Sequence, residues 1–344
     1  MLQALWKPVA AHMLVSALLL CLSQYAFPQG ITVDRNSNIS RIDSLQLSPA
    51  KEAQLRAAIS THDYIAAEKI LLPAIMRCHD NTRKALLLEF TGGIYYLSGD
   101  YLHAAVAWNK SAAIAPLPAT LQFSLAMAYL QLNRPDWARN SLQSLARRYP
   151  ANALYPYWLG RLDYDSHLYN KAIRYFQQSI HLAPRMARAY DNLGLCYYYL
   201  NQNTQAILYY KKAIELNLQS NHPSAWPYLN LAITQEFLGQ LNAAEANLKQ
   251  SIGLNPKIPT SYLQLGDILE HQGKLQQALR EYQKASHLDK NYAEPHFALA
   301  RIYKRLGENS LAHAEVRMYL QLRREKAPVS SVKPSRRSRS ANAM

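Results

Sequence analysis

The chain has 344 residues, 49% of them hydrophobic and 18% charged, with a formal net charge of +15. That apolar content is enough to fold and excludes wholesale disorder, while 11 glycines against 24 tyrosines suit packed helices better than a turn-rich sheet. Much of the charge is local: from Arg323 to the C-terminus seven Lys or Arg residues face Glu325 alone, a net +6 in 22 residues, so the body is only mildly basic.

Residues 1–30 carry Lys7 and then an uncharged apolar stretch from Met13 to Leu22, continuing less purely to Phe27. This pattern predicts an export signal. Gln24-Tyr25-Ala26 is a poor cleavage site, and the run from Pro8 to Phe27 is about the ~20 apolar residues that a single membrane anchor needs. Export, with a periplasmic or inner-membrane-anchored product, is therefore expected. Residues 31–47 read as a linker.

From Ala85 onward the chain repeats itself. Steps of 34 residues give starts at Ala119, Ala153 and Ala187, and after a four-residue slip near Gln219 to His222 the frame resumes at Ala225, Pro259 and Ala293. The twentieth place of the seven units is always alanine: Ala104, Ala138, Ala172, Ala206, Ala244, Ala278 and Ala312. A small residue recurring at such a period marks a close approach of two helices. The fifteenth place holds Gly99, Asn133, His167, Asn201, Gly239, Gly273 and Gly307, residue types that accept the left-handed backbone just beyond a helix end. Each unit is thus predicted to be helix, tight turn, helix. Pro116, Pro150, Pro184 and Pro256 close four of the units, because proline does not continue a helix. Leu193, Tyr197 and Leu200, then Ile207, Tyr210 and Ile214, show the three- and four-residue spacing of amphipathic helices. One such hairpin cannot bury its apolar face alone, so the units must stack.

With Leu159-Gly160, Ala172, Phe176 and Pro184, with Tyr190, Leu193-Gly194, Tyr197, Ala206, Tyr210 and Ala213, and with Tyr262, Leu265-Gly266, Ala278, Tyr282 and Ala285, the units resemble the tetratricopeptide repeat. Upstream, Asp63-Tyr64-Ile65-Ala66-Ala67 with Leu71 and Ala74 looks like the second half of a degenerate eighth unit over residues 48–84. The resemblance implies an all-α solenoid, an α–α superhelix of tandem hairpins whose concave wall is lined by the first helix of each unit and binds protein segments.

Carried onto this chain, the inward places include Tyr96, Phe123, Tyr157, Tyr164, Tyr198, Tyr199, Trp226 and Phe237, an aromatic bed suited to an apolar segment. The same rings also suit packing between neighbouring repeats. Asp267 and Glu270 face inward in the sixth unit, and Arg301, Lys304 and Arg305 in the seventh, a charge step able to orient a ligand. The family's clamp for a partner's C-terminal carboxylate needs Lys and Asn at set places. Phe123 with Met127, Tyr157 with Arg161, and Asp191 with Leu195 stand there instead, and Asn192 and Asn230 alone do not make it.

No phosphate loop, His-Glu-x-x-His, paired-cysteine site or Gly-x-Ser-x-Gly elbow is present, so no catalytic, cofactor or metal residue is assigned and no enzyme is expected. Cys78 and Cys196, three repeats apart, are expected not to pair. Residues 327–344, with Lys333, Arg336, Arg337 and Arg339 among Ser and Pro, read as a basic disordered tail. The expected function is a protein-interaction scaffold of the bacterial cell envelope with a protein or peptide partner. Alternatives are an anionic-polymer or nucleic-acid binder acting through the tail, with nucleic acid the disfavoured partner, and an accessory subunit of an envelope enzyme or of secretion or pilus assembly.

Overall fold

The structure is a computed structural model that describes residues 41–326. Residues 1–30, most of the expected linker and the basic tail lie outside the described residues. Sixteen α-helices follow a short 3-10 turn at Ile42–Leu45, and there is no strand among the described residues.

The helices alternate as first and second members of eight hairpins: α1 (Pro49–Ser60) and α2 (Tyr64–Met76), α3 (Asn81–Leu97) and α4 (Tyr101–Ala112), α5 (Ala119–Gln131) and α6 (Pro135–Arg148), α7 (Leu154–Asp165) and α8 (Tyr169–Leu182). Then come α9 (Ala187–Tyr199) and α10 (Asn203–Asn217), α11 (Trp226–Phe237) and α12 (Leu241–Leu254), α13 (Pro259–His271) and α14 (Leu275–Leu288), and α15 (Ala293–Arg305) and α16 (Asn309–Lys326). They fall into two compact units, up to Cys196 and from Tyr197 onward, with the division inside α9. The fold class is all-α helical hairpin repeat, as the sequence pattern predicts.

Each turn inside a hairpin is built the same way. Gly99, Asn133, His167, Asn201, Gly239, Gly273 and Gly307 all have positive φ, between 54° and 84°. The next residue's N–H reaches back to the helix, as in Asp100 to the Tyr95 carbonyl at 2.9 Å and Leu168 to the Asp163 carbonyl at 2.8 Å. This is the motif that satisfies the last free carbonyls of a helix. His62 (φ 61°) with Asp63 N–H to the Ala58 carbonyl at 2.8 Å repeats it in the degenerate first unit. Asp63 and Asp100 then cap the following helix, accepting from the Ala66 and His103 N–H groups, the usual role of Asp at an N-cap.

The repeating alanines are all buried: six are inaccessible and Ala312 is 6% exposed. The early glycine of the first helix has an equally specific reason. A Cβ on Gly92 would lie 2.5 Å from the Trp108 ring, on Gly160 2.8 Å from Phe176, and on Gly266 2.5 Å from Tyr282, so each glycine makes room for the aromatic of its own second helix. Buried Ser111 and Ser179 bond the Ala85 and Ala153 carbonyls and tie the two ends of their units together.

The described end of the expected linker differs from that reading. Ile42 and Leu45 are buried in a core with Leu55, Ile59, Leu71, Leu87 and Phe90. Arg83 donates to the carbonyls of Leu45 and Gln46, and Arg41 pairs with Glu89 at 2.7 Å. The segment therefore covers the N-terminal hairpins, whose apolar ends would otherwise face water. Cys78 and Cys196 are both buried thiols, and burial pushes the Cys196 thiol up to about 12.

Candidate functional site

The inward places of the first helices behave differently in the two units. In residues 41–196 the expected binding rings are mostly packing rings. Phe123 (1% exposed) lies against Tyr155 and Trp158, and Tyr157 (3%) against Trp158 and Phe176 with the Arg188 guanidinium 4.7 Å above its ring. Tyr164 (5%) meets Tyr169, with Arg161 over its face. Tyr96 is half-buried against Tyr101 and Trp108, and burial raises its hydroxyl well above the ordinary range. The expectation of an open aromatic bed is corrected here, because large rings contributed by neighbouring helices fill the space. Asn192 is also taken up internally: its oxygen accepts from Arg161 at 2.6 Å, and its amide donates to the Arg188 carbonyl at 2.7 Å and the Tyr157 hydroxyl at 3.3 Å.

The unit from Tyr197 onward presents a different wall. Phe237 closes α11 with 63% of its surface exposed. Its ring meets Tyr198 edge-on at 6.5 Å, and Tyr198 packs against Tyr199 at 5.5 Å. Trp226 is half-buried at the start of α11, where its backbone N–H donates to the Ser224 hydroxyl. Of these four expected positions Phe237 is exposed, while Tyr198, Tyr199 and Trp226, like Tyr96, are half-buried.

Beside Phe237 the wall becomes acidic. The Glu236 side chain is only 12% exposed, with His271 Nδ1 3.9 Å away. Burial and then the charge of Asp267 push the Glu236 carboxyl up to about 8. Burial likewise raises Asp267, against the bond from the Tyr282 hydroxyl at 2.7 Å and that from Arg301 at 3.2 Å. For Glu270 burial works against ionisation, but hydrogen bonds and charge from Arg301, with Tyr282 and Arg305, outweigh it and hold the carboxyl below its usual range.

Arg301 is the hub, with Nε 2.9 and 3.0 Å from the Glu270 oxygens and Nη2 at 2.7 Å, while Arg305 adds a bond at 3.0 Å. The expected charge step is thus a cross-linked network joining α13 to α15 rather than a row of free charges. Lys304 stays exposed beside it. Sequence reasoning missed Glu236 and His271, although they occupy the same inward places as Glu270 and Arg305 one unit away.

Family models described as tetratricopeptide repeat match residues 123–166 and 185–257, and one described as TPR repeat matches 266–307. The chain is a tetratricopeptide-repeat protein. The mouse (Mus musculus) protein O-mannosyl-transferase TMTC3 is 29% identical over 153 residues, 41% of this chain and 16% of that protein. The BBSome complex member BBS4 of Xenopus tropicalis is 28% identical over 131 residues, 38% of this chain and 25% of its own length. The chain thus spans a quarter or less of the length of these curated relatives. Among solved structures, a tetratricopeptide repeat protein from Parabacteroides merdae superposes with a TM-score of 0.60 at 16% identity, over 77% of this chain and 99% of that one. PilW, a type IV pilus biogenesis factor, gives 0.54 at 23% identity over 60% and 94%. At these identities the structural likeness speaks to the tetratricopeptide fold alone, the fold of a scaffold for protein–protein contacts.

Proposed function

We propose that this tetratricopeptide array is a protein-interaction scaffold of the bacterial cell envelope, exported or anchored through its N-terminal apolar segment, and that the wall from Tyr198 to Lys304 binds an apolar segment of a partner protein. The observation that carries the site is Phe237, a large ring left 63% exposed at the end of a first helix, whereas Phe123, Tyr157 and Tyr164 in the first unit are buried. Exposed aromatic anchors supply most of the energy of many interfaces, and burial, which pushes the neighbouring Glu236 carboxyl up to about 8, weakens a charge that would oppose an apolar ligand. Exposed Lys304 then favours an acidic flank on the bound segment. The envelope assignment is supported by the uncharged run Met13 to Leu22 behind Lys7.

The test is capture of binding partners from envelope extracts by the full chain in mild detergent, compared with a variant carrying Tyr198→Ala, Trp226→Ala and Phe237→Ala. The expected result is loss of one captured protein with the helical fold retained in the circular-dichroism spectrum. Trp137→Ala, which removes a 54%-exposed ring from the second helix α6, should retain it. Equal capture by both variants overturns the site.

A further inference from the structure

The outer face of the second helices is polar through most of the array but apolar in the two N-terminal hairpins. Four places of each unit, the eighteenth, twenty-second, twenty-fifth and twenty-ninth, fall within ~60° of arc on one side of the helix, since successive residues turn by ~100°. In α6 they carry Asp136, Asn140, Gln143 and Arg147, and in α8 Asn170, Arg174, Gln177 and His181. In α2 they carry Ile65, Lys69, Leu72 and Met76, and in α4 Leu102, Val106, Asn109 and Ala113. The apolar members protrude: Met76 is 82% exposed, Ile65 67% and Leu102 57%. The opposite side of α2 is already buried through Ala67 and Leu71. A helix apolar on both sides is expected to have cover on both.

Cations stand on and beside this face, among carboxylates that mostly cap helices. Lys69, Arg77 and Lys110 are exposed, whereas the nearby acids are engaged: Asp63 and Asp100 cap helices, and Glu68 accepts from the Tyr95 hydroxyl at 2.7 Å. Protruding apolar side chains with a cationic rim match the interface of an anionic bilayer, where buried apolar area and attraction to headgroups act together. The chain outside the described residues points the same way. Its apolar run ends at Phe27, and the 13 residues from Pro28 to Ser40 span at most ~45 Å. An anchor there keeps these two hairpins beside the membrane.

We infer that the outer face of α2 and α4 lies on the surface of an anionic lipid bilayer, so that the array is held by a second, peripheral contact besides its N-terminal segment. This rests on the anchored reading proposed above.

Met76 is a built-in probe, because exposed thioethers oxidise to sulfoxide. The full chain is treated with dilute peroxide in detergent-free solution, with phosphatidylglycerol-containing vesicles and with phosphatidylcholine vesicles, and Met76 and Met318 oxidation is followed by mass spectrometry alongside vesicle flotation. Expected is a Met76 rate about fivefold lower or more on anionic vesicles, as for a side chain buried in the headgroup region, less protection on phosphatidylcholine, and Met318 unchanged. An Ile65→Ser, Leu102→Ser variant should still float through its anchor while Met76 regains its fast oxidation. A chain that floats with Met76 unprotected overturns the surface contact and leaves the anchor standing. Protection without vesicles, whether independent of protein concentration (the chain's own N-terminal segment) or rising with it (a second copy), also overturns the contact. A Leu18→Asp, Leu20→Asp variant that still floats with Met76 protected overturns the anchor alone, and a wild-type chain that does not float overturns both.

Discussion

Arg301 holds Glu270 through a fork: Nε and Nη2 both face the carboxylate, at 2.7 to 3.0 Å, across the boundary between two consecutive repeats. The carboxylate is 7% exposed and the guanidinium 38%, so the pair is screened less than a surface ion pair. Arg301 also contacts Asp267 and the Tyr282 hydroxyl, which makes it the polar joint between α13 and α15.

Arg301→Ala leaves Glu270 with Arg305 and Tyr282, and should cost ~1–3 kcal/mol in urea unfolding of the full chain, since a buried charge loses its main partner. Arg301→Lys, which keeps the charge but not the fork, should cost less. The pH dependence has a defined sign. Glu270 titrates below its ordinary range in the folded state, so its contribution is present above the unfolded carboxyl range and is lost as pH falls through the folded value. The gap between wild type and Arg301→Ala should therefore narrow in acid. A gap independent of pH would remove Glu270 from the effect.

Glu236 should behave in the opposite way. Its folded value, about 8, lies above the unfolded one, so the folded protein binds the extra proton between roughly pH 4.5 and 8 and stability falls as pH rises through that window. Glu236→Gln keeps the hydrogen-bonding shape without the charge. Near pH 8.5 it should be more stable than wild type by ~1–3 kcal/mol, because the ionised form no longer has to be buried, and near pH 4 the two should coincide. Urea titrations at the two pH values decide this.

The repeat geometry was legible in the sequence because it is periodic. The alanines at the twentieth place and the left-handed residues at the fifteenth recur in phase, and even His167 has the φ its position requires. The degenerate first unit keeps both features in Ala67 and His62. The 3-10 turn at Ile42–Leu45 was not legible, since four residues carry no period. Nor was the difference between Phe123 and Phe237. Phe123 stands at the fifth place of its unit, where Tyr155 and Trp158 from the next repeat close it in, whereas Phe237 stands at the thirteenth and ends its helix; burial at the fifth place depends on residues some 34 positions away. The charge step of Asp267, Glu270, Arg301 and Arg305 was visible as composition. That it is one bonded network turns on side-chain geometry: Arg301 reaches both carboxylates, and so does the Tyr282 hydroxyl, whose ring the sequence marks only as a packing aromatic.

Two glycines in the same unit separate packing from helix propensity. Gly266→Ala places a Cβ about 2.5 Å from the Tyr282 ring, and the ring cannot retreat freely because its hydroxyl is bonded to Asp267 and Glu270. The expected cost is ~1–3 kcal/mol, as for overpacking a filled core. Gly253, exposed near the end of α12, has open space around its Cβ position, so Gly253→Ala should stabilise by up to ~0.5–1 kcal/mol through the lower entropy of the unfolded chain and the better helix propensity. Circular-dichroism melts of the full chain should show shifts of opposite sign.

Ala206 tests the close helix approach that defines the repeat. It is inaccessible, with its methyl at the place that every unit from residue 85 onward gives to alanine. Ala206→Leu forces three further heavy atoms into that contact, so the two helices must separate or side chains must leave their rotamers, at a cost of ~1–3 kcal/mol. Gln202→Leu is the control. Gln202 is exposed at the N-cap of α10 and makes no side-chain capping bond, so it should change stability by no more than ~0.5 kcal/mol. Urea unfolding of the two variants is the measurement, and comparable losses for both would mean that small side chains at this place do not set the spacing between helices.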